Sequence, residues 1–168
     1  MIGLRIPAGL YARIEADLDR PHAFAGERVG FLFTRPDECG TPTNIILAVD
    51  YWPVPDDQYV KDYSVGARIG SEAIRGAMQK SLDGSRGAFH VHKHHCHGKP
   101  GYSGDDWDGW NRLLPSFRKF LPEVCHGAVV LSLNSAAGLV WREGRKRPLP
   151  LDKISVVGFP MRIFNHEK

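Results

Sequence analysis

Apolar positions recur along this chain with two different periods. Leu10, Ile14 and Leu18 stand four apart with Tyr11 beside them, the stripe of an amphipathic helix. Asp19-Arg20-Pro21 closes it, because proline disfavours helical geometry in the residue before it. Ile74, Met78 and Leu82 repeat the spacing between Ser71, a capping residue, and the breaker Asp83-Gly84-Ser85. Trp107, Trp110 and Leu114 share a third helical face over Asp105 to Leu114, which Pro115 is expected to interrupt.

The remaining apolar runs read as strands. Leu4-Arg5-Ile6, broken by Pro7, has the form of an edge strand. Arg28 to Phe33 is almost continuously apolar up to Pro36, the content of a buried strand. Asn44 to Val49 follows, then a Pro- and Asp-rich loop from Pro53 to Asp57. Gly87 to His92 alternates, and Ala128 to Leu133, Leu139 to Arg142 and Ile154 to Val157 complete the set. This order predicts an α/β or α+β fold with one curved sheet flanked by helices. With no repeat, low-complexity tract or linker, residues 1–168 read as a single domain.

Composition narrows the function classes. Apolar residues make up 42 % and charged residues 24 %, ordinary for a globular chain. A net charge of +3 is too mild to argue for nucleic acid or an anionic membrane as partner. No secretory leader and no membrane-length apolar run are visible, and Cys39, Cys96 and Cys125 form no disulfide pattern. A cytoplasmic protein is the expectation.

The chemistry concentrates in Ala88 to Trp110, AFHVHKHHCHGKPGYSGDDWDGW, where five of the eight histidines fall within positions 90–97. On a strand, His90 and His92 point to one face and can grip one zinc ion together. Asp106, at a helix start after the glycine-rich loop holding Gly98, Gly101 and Gly104, is a natural third ligand. Three protein ligands leave the fourth position open to water, as catalysis requires. Glu27, at the head of the apolar Arg28–Phe33 run, is the candidate general base. Ser103 is placed to donate to an oxyanion, or to cap the helix in a capping box with Asp106. His94, Cys96 and the remaining histidines His95 and His97 read as an exposed polar loop, with a second zinc site or substrate contact as the sharper alternative. Trp107 and Trp110 read as core, and the basic run Arg142 to Arg147 as a solvated hairpin loop that can also dock an acidic partner.

Glu27-Arg28-Val29-Gly30-Phe31-Leu32, His90-Val91-His92 and Ser103-Gly104-Asp105-Asp106, in that order, resemble the JAB/MPN (JAMM) metalloproteases. The resemblance implies an MPN/JAB-like, cytidine-deaminase-like fold, a Zn2+ cofactor held by His90, His92 and Asp106, Glu27 as base and Ser103 as oxyanion donor. One departure is the gap of eleven residues from His92 to Ser103, against the eight of eukaryotic members, with Lys93 in place of their proline. The histidine-rich loop is similar to that of bacterial JAB proteins encoded beside ubiquitin-like conjugation enzymes in antiphage operons. The implied activity is hydrolysis after the C-terminal glycine of a ubiquitin-like protein or its conjugates. E1-like activating and E2-like conjugating enzymes are the implied partners. Two other classes stay open: a metal-free MPN scaffold, and a zinc hydrolase of small-molecule amides.

Overall fold

The computed structural model describes residues 1–35 and 44–165; the expected strand stop at Pro36, and Cys39, lie outside the described residues. The elements are β1 (Gly3–Pro7), α1 (Ala8–Leu18), β2 (Val29–Thr34), β3 (Ile45–Pro53), a 3-10 turn (Asp56–Gln58), α2 (Ser71–Asp83) and β4 (Gly87–Lys93). There follow α3 (Gly104–Phe120), β5 (His126–Leu131), β6 (Ala136–Trp141), β7 (Leu149–Pro150), β8 (Lys153–Val157) and β9 (Arg162–Asn165). Among the described residues nine strands form one mixed sheet in the order β7-β6-β5-β4-β2-β3-β1-β8-β9, an α+β architecture with helices on both faces.

The two faces follow from alternation along the strands. Leu32 of β2 and Phe89 and Val91 of β4 pack with Leu10, Tyr11, Ile14 and Leu18 of α1. Phe31 and Phe33 of β2 and Ala88 of β4 meet Ala73 and Ala77 of α2 and Leu113 and Phe117 of α3 on the opposite side. Trp110 and Leu114 of α3 extend that layer over Ala128 and Val130 of β5 and Leu139 and Trp141 of β6. Covered on both faces, β2, β5 and β6 are buried at every position, which is why their sequences run apolar without alternating.

Three expectations are corrected. The first strand is not at an edge: β1 lies between β3 and β8, parallel to both. Its two-residue apolar signal, Leu4 and Ile6, is fully committed to the α1 side, while Arg5 faces solvent. The third helix is not interrupted at Pro115 but runs through it to Phe120. Pro115 is exposed, so the Asn111 carbonyl it leaves without an N–H faces the solvent side. Burial of Trp110, Leu113, Leu114 and Phe117 beneath outweighs a helical proline's penalty of about 3 kcal/mol. The second strand candidate continues past Val49 to Pro53, carrying Tyr51 into the core. The short β7 and β9 went unforeseen, having too few residues to show a period.

No helix among the described residues is long and apolar enough to cross a membrane. The basic run does form the connection of an antiparallel pair, β6 with β7.

Candidate metal centre

Strand alternation puts His90, His92 and His94 on one face of β4 and its extension, with ring centroids 5.4 and 4.9 Å apart in sequence. His94 follows the last residue of β4, yet its N–H still donates to the Leu131 carbonyl at 2.9 Å, so the parallel ladder with β5 carries one residue further. The loop beyond is tied down from the β5–β6 turn. Leu133 N–H donates to the Cys96 carbonyl, Ser132 Oγ donates to the Gly98 carbonyl at 2.6 Å, and Asn134 Oδ1 accepts from Gly98 N–H at 2.7 Å. Lys93, between the two histidines, points to the other face, where its ammonium meets Asp19 Oδ1 and Oδ2 at 2.6 and 2.9 Å. The strand end is thereby held from both sides.

Asp106 arrives from the first turn of α3. Its N–H donates to Ser103 Oγ at 3.1 Å and its Oδ2 accepts from Ser103 N–H at 2.7 Å, a complete capping box. That leaves Asp106 Oδ1 aimed at His92 Nε2, 3.0 Å away, with Oδ2 3.7 Å from His94 Nε2. Burial alone would raise the Asp106 carboxyl, but the hydrogen bond and charge of His92 and both Ser103 bonds hold it well below the usual carboxylate range. It is a carboxylate at any ordinary pH.

Glu27 closes the opposite side, with Oε1 3.9 Å from His94 Nε2. Its backbone is fixed twice over. Glu27 and Gly26 N–H both donate to the Gly66 carbonyl, at 3.0 and 2.8 Å. The next residue, Arg28, is buried and forks both oxygens of Asp56 while donating to the Arg20 and Pro21 carbonyls. Glu27 also forms part of the wall of an open cavity of about 290 Å³, shared with residues 18–22 and His95.

The cluster has the donor set and spacing of an ion site. Among the described residues, Glu27, His92 and His94 are the group whose potential ligand atoms all lie within 4.8 Å of one another. His92 and His94 bring their Nε2 atoms to 3.0 Å. Two ligands on one tetrahedral zinc, at bond lengths of roughly 2.0–2.1 Å, stand about 3.3 Å apart. Two imidazole nitrogens this close, with a carboxylate alongside, need a proton or a cation between them. His92 Nδ1 is buried without a hydrogen-bond partner, so the acceptor that commonly stands behind a ligating histidine is missing there.

Of the residues expected at the site, Glu27, His92 and Asp106 come together, and Ser103 caps the helix that presents Asp106. His90 does not enter the group. Trp110 Nε1–H donates to His90 Nδ1 at 3.3 Å; an indole only donates, so Nδ1 is the acceptor and a neutral His90 carries its proton on Nε2. That nitrogen then offers no lone pair to an ion. Burial, with the His92 imidazole beside it, pushes His90 down to about 3, so it stays neutral.

His94 takes the place expected for His90. Rather than belonging to an exposed loop, it is half-buried among Glu27, His92 and Asp106, while His95, Cys96 and His97 are exposed. The readable signal for His94 was the strand period carried one step past His92. Tyr102 is a further neighbour that sequence reasoning passed over. It packs edge-on against Trp107 and Trp110, and its hydroxyl is raised to about 12 by burial and by the Asp106 charge.

No protein-family model matches this chain, and no curated protein matches it.

Proposed function

We propose that the protein is a zinc metallopeptidase of the JAB/MPN kind, with His92, His94 and Asp106 as the zinc ligands and Glu27 as the general base. The observation that carries this reading is the convergence of one carboxylate from before β2, the imidazoles of His92 in β4 and His94 just beyond it, and one carboxylate from the start of α3. These groups are far apart in sequence, and their meeting at ligand-like distances supports a shared cation. The order of the motifs, Glu27 first, then the histidines, then Ser103 and Asp106, supports the same assignment.

A bound zinc would acidify a water and supply positive charge where an oxyanion develops. The residues of the chain do the rest. Glu27, beside His94 and open to the cavity, accepts the proton of the attacking water and returns it to the leaving nitrogen. Ser103 Oγ accepts from Asp106 N–H through a lone pair, so its own proton remains available for the carbonyl oxygen of the substrate. Asp106, clamped by Ser103 at Oδ2, keeps Oδ1 toward His92 and would help hold the ion.

The substrate we propose is the peptide or isopeptide bond after the C-terminal glycine of a ubiquitin-like protein, in a bacterial antiphage conjugation pathway. It rests on the motif resemblance. The test is elemental analysis of the purified protein, followed by cleavage of a ubiquitin-like C-terminal fusion beside small amide substrates. One zinc per chain, lost in Asp106→Ala, with turnover of the fusion, is expected. Zinc with turnover of small amides only would replace the protease by a small-molecule hydrolase. A protein that takes up no zinc would be a scaffold.

A further inference from the structure

We propose that Gly66 is a positioning residue for Glu27, an inference that rests on Glu27 being the proton carrier. Gly66 lies in the connection between the 3-10 turn and α2. That connection is closed at its base by the Tyr59–Ile69 bridge and by Val60 N–H to Arg68 carbonyl and Gly70 N–H to Gln58 carbonyl bonds at 2.8 and 2.7 Å. Its carbonyl receives the N–H groups of both Gly26 and Glu27. The same residue that anchors the backbone of the base also faces its side chain. A Cβ on Gly66 would sit 2.8 Å from Cδ and Oε2 of Glu27 and 3.3 Å from its Cγ.

Backbone conformation does not explain the glycine, because Gly66 is not among the residues with positive φ. Nor does packing against the core, since the three atoms nearest to that Cβ all belong to Glu27. What the glycine leaves room for is the carboxylate itself. A methyl group there would push the far end of a flexible side chain, which the fold tolerates and the chemistry does not. Restoring an ordinary contact of about 3.5 Å moves the carboxylate by roughly 0.7 Å, and misplacement by about 1 Å can cost on the order of a hundredfold in rate.

The test compares zinc-loaded wild type and Gly66→Ala with the C-terminal aminocoumarin amide of ubiquitin as probe. Expected for Gly66→Ala are a kcat lower by roughly ten- to a hundredfold, with KM, zinc content and melting temperature unchanged. Its crystal structure should show a displaced Glu27 carboxylate on an unmoved backbone. In a Glu27→Asp background, where the shorter side chain leaves room for the methyl, Gly66→Ala should add little further loss. A kcat within twofold of wild type, an unmoved carboxylate, or full additivity with Glu27→Asp would overturn the inference alone. A wild type that holds no zinc would overturn the proposed function and this inference with it.

Discussion

His90 and His94 stand two residues to either side of His92 on the same face of one strand, and their surroundings divide them into different chemical groups. His90 lies under α3, where Trp110 donates to it and burial keeps it neutral. His94 lies where β4 leaves the helix cover, between Glu27 and Asp106. Strand period alone makes both partners of His92 equivalent; the difference is made by what covers each. An indole N–H occupies one imidazole, and two carboxylates surround the other. Whether an imidazole is free to serve as a ligand is thus set as much by the absence of a competing donor as by its own identity.

The sharpest way to break this comparison is to exchange the two. His94→Ala is expected to lower zinc affinity by more than the roughly 10–100-fold typical of second-shell losses, whereas His90→Ala stays within that range; competition with a chromogenic chelator measures both. Equal losses would dissolve the distinction. Next in size, Glu27→Gln should lower kcat by roughly 10²–10⁴-fold while the zinc content stays near that of wild type, as read by steady-state kinetics and elemental analysis together. Ser103→Ala should lower kcat by roughly 10²-fold if its hydroxyl serves the oxyanion. The same change should lower stability by about 1 kcal/mol through the lost cap, visible in denaturant titration even without substrate.

The smallest effect uses a third histidine as a control for burial without ligation. His126 is fully buried, its Nδ1 accepting from Ala88 N–H and its Nε2 facing the Leu121 carbonyl at 3.0 Å, and burial lowers its pKa below the ordinary 6.5. The folded protein therefore resists protonating it while the unfolded chain does not. Its contribution is intact above pH 6.5 and is lost as pH falls below that value. Thermal melts of metal-free protein from pH 8 to 5 should show this decline together with that of the likewise buried His90, and His126→Gln should lessen it without abolishing it.

Much of the fold was legible in the sequence because helix and strand periods are properties of local composition. The stripes of Leu10–Leu18, Ile74–Leu82 and Trp107–Leu114 each became a helix, although Trp107, read as core, and Leu82 are exposed and α2 buries Ala73, Ala77 and Ser81 instead; the apolar run before Pro36 became the central β2. What could not be read is set by partners distant in sequence. The interior position of β1 depends on β8, some 150 residues later, and the continuation of α3 past Pro115 depends on a buried face beneath it. The site divides in the same way. Glu27, His92 and Asp106 carry recognisable spacing. Counting the family's eight residues back from Ser103 lands on His95, whose partner two before it is Lys93, and the H-x-H pattern therefore favours His90 and His92, a register that leaves His94 out. Gly66 carried no signal at all, since its importance is a matter of empty space.

Asp106 serves two structures with its two oxygens, one closing the amino end of α3 and the other turned toward His92. Anything that draws on the second oxygen therefore also tightens or loosens the first turn of α3. Occupancy of the ion site and the fraying of that turn become linked equilibria, so the amides of residues 104–107 should exchange with solvent more slowly when the site is filled. The helix start is in this sense a built-in reporter of whether the centre is loaded.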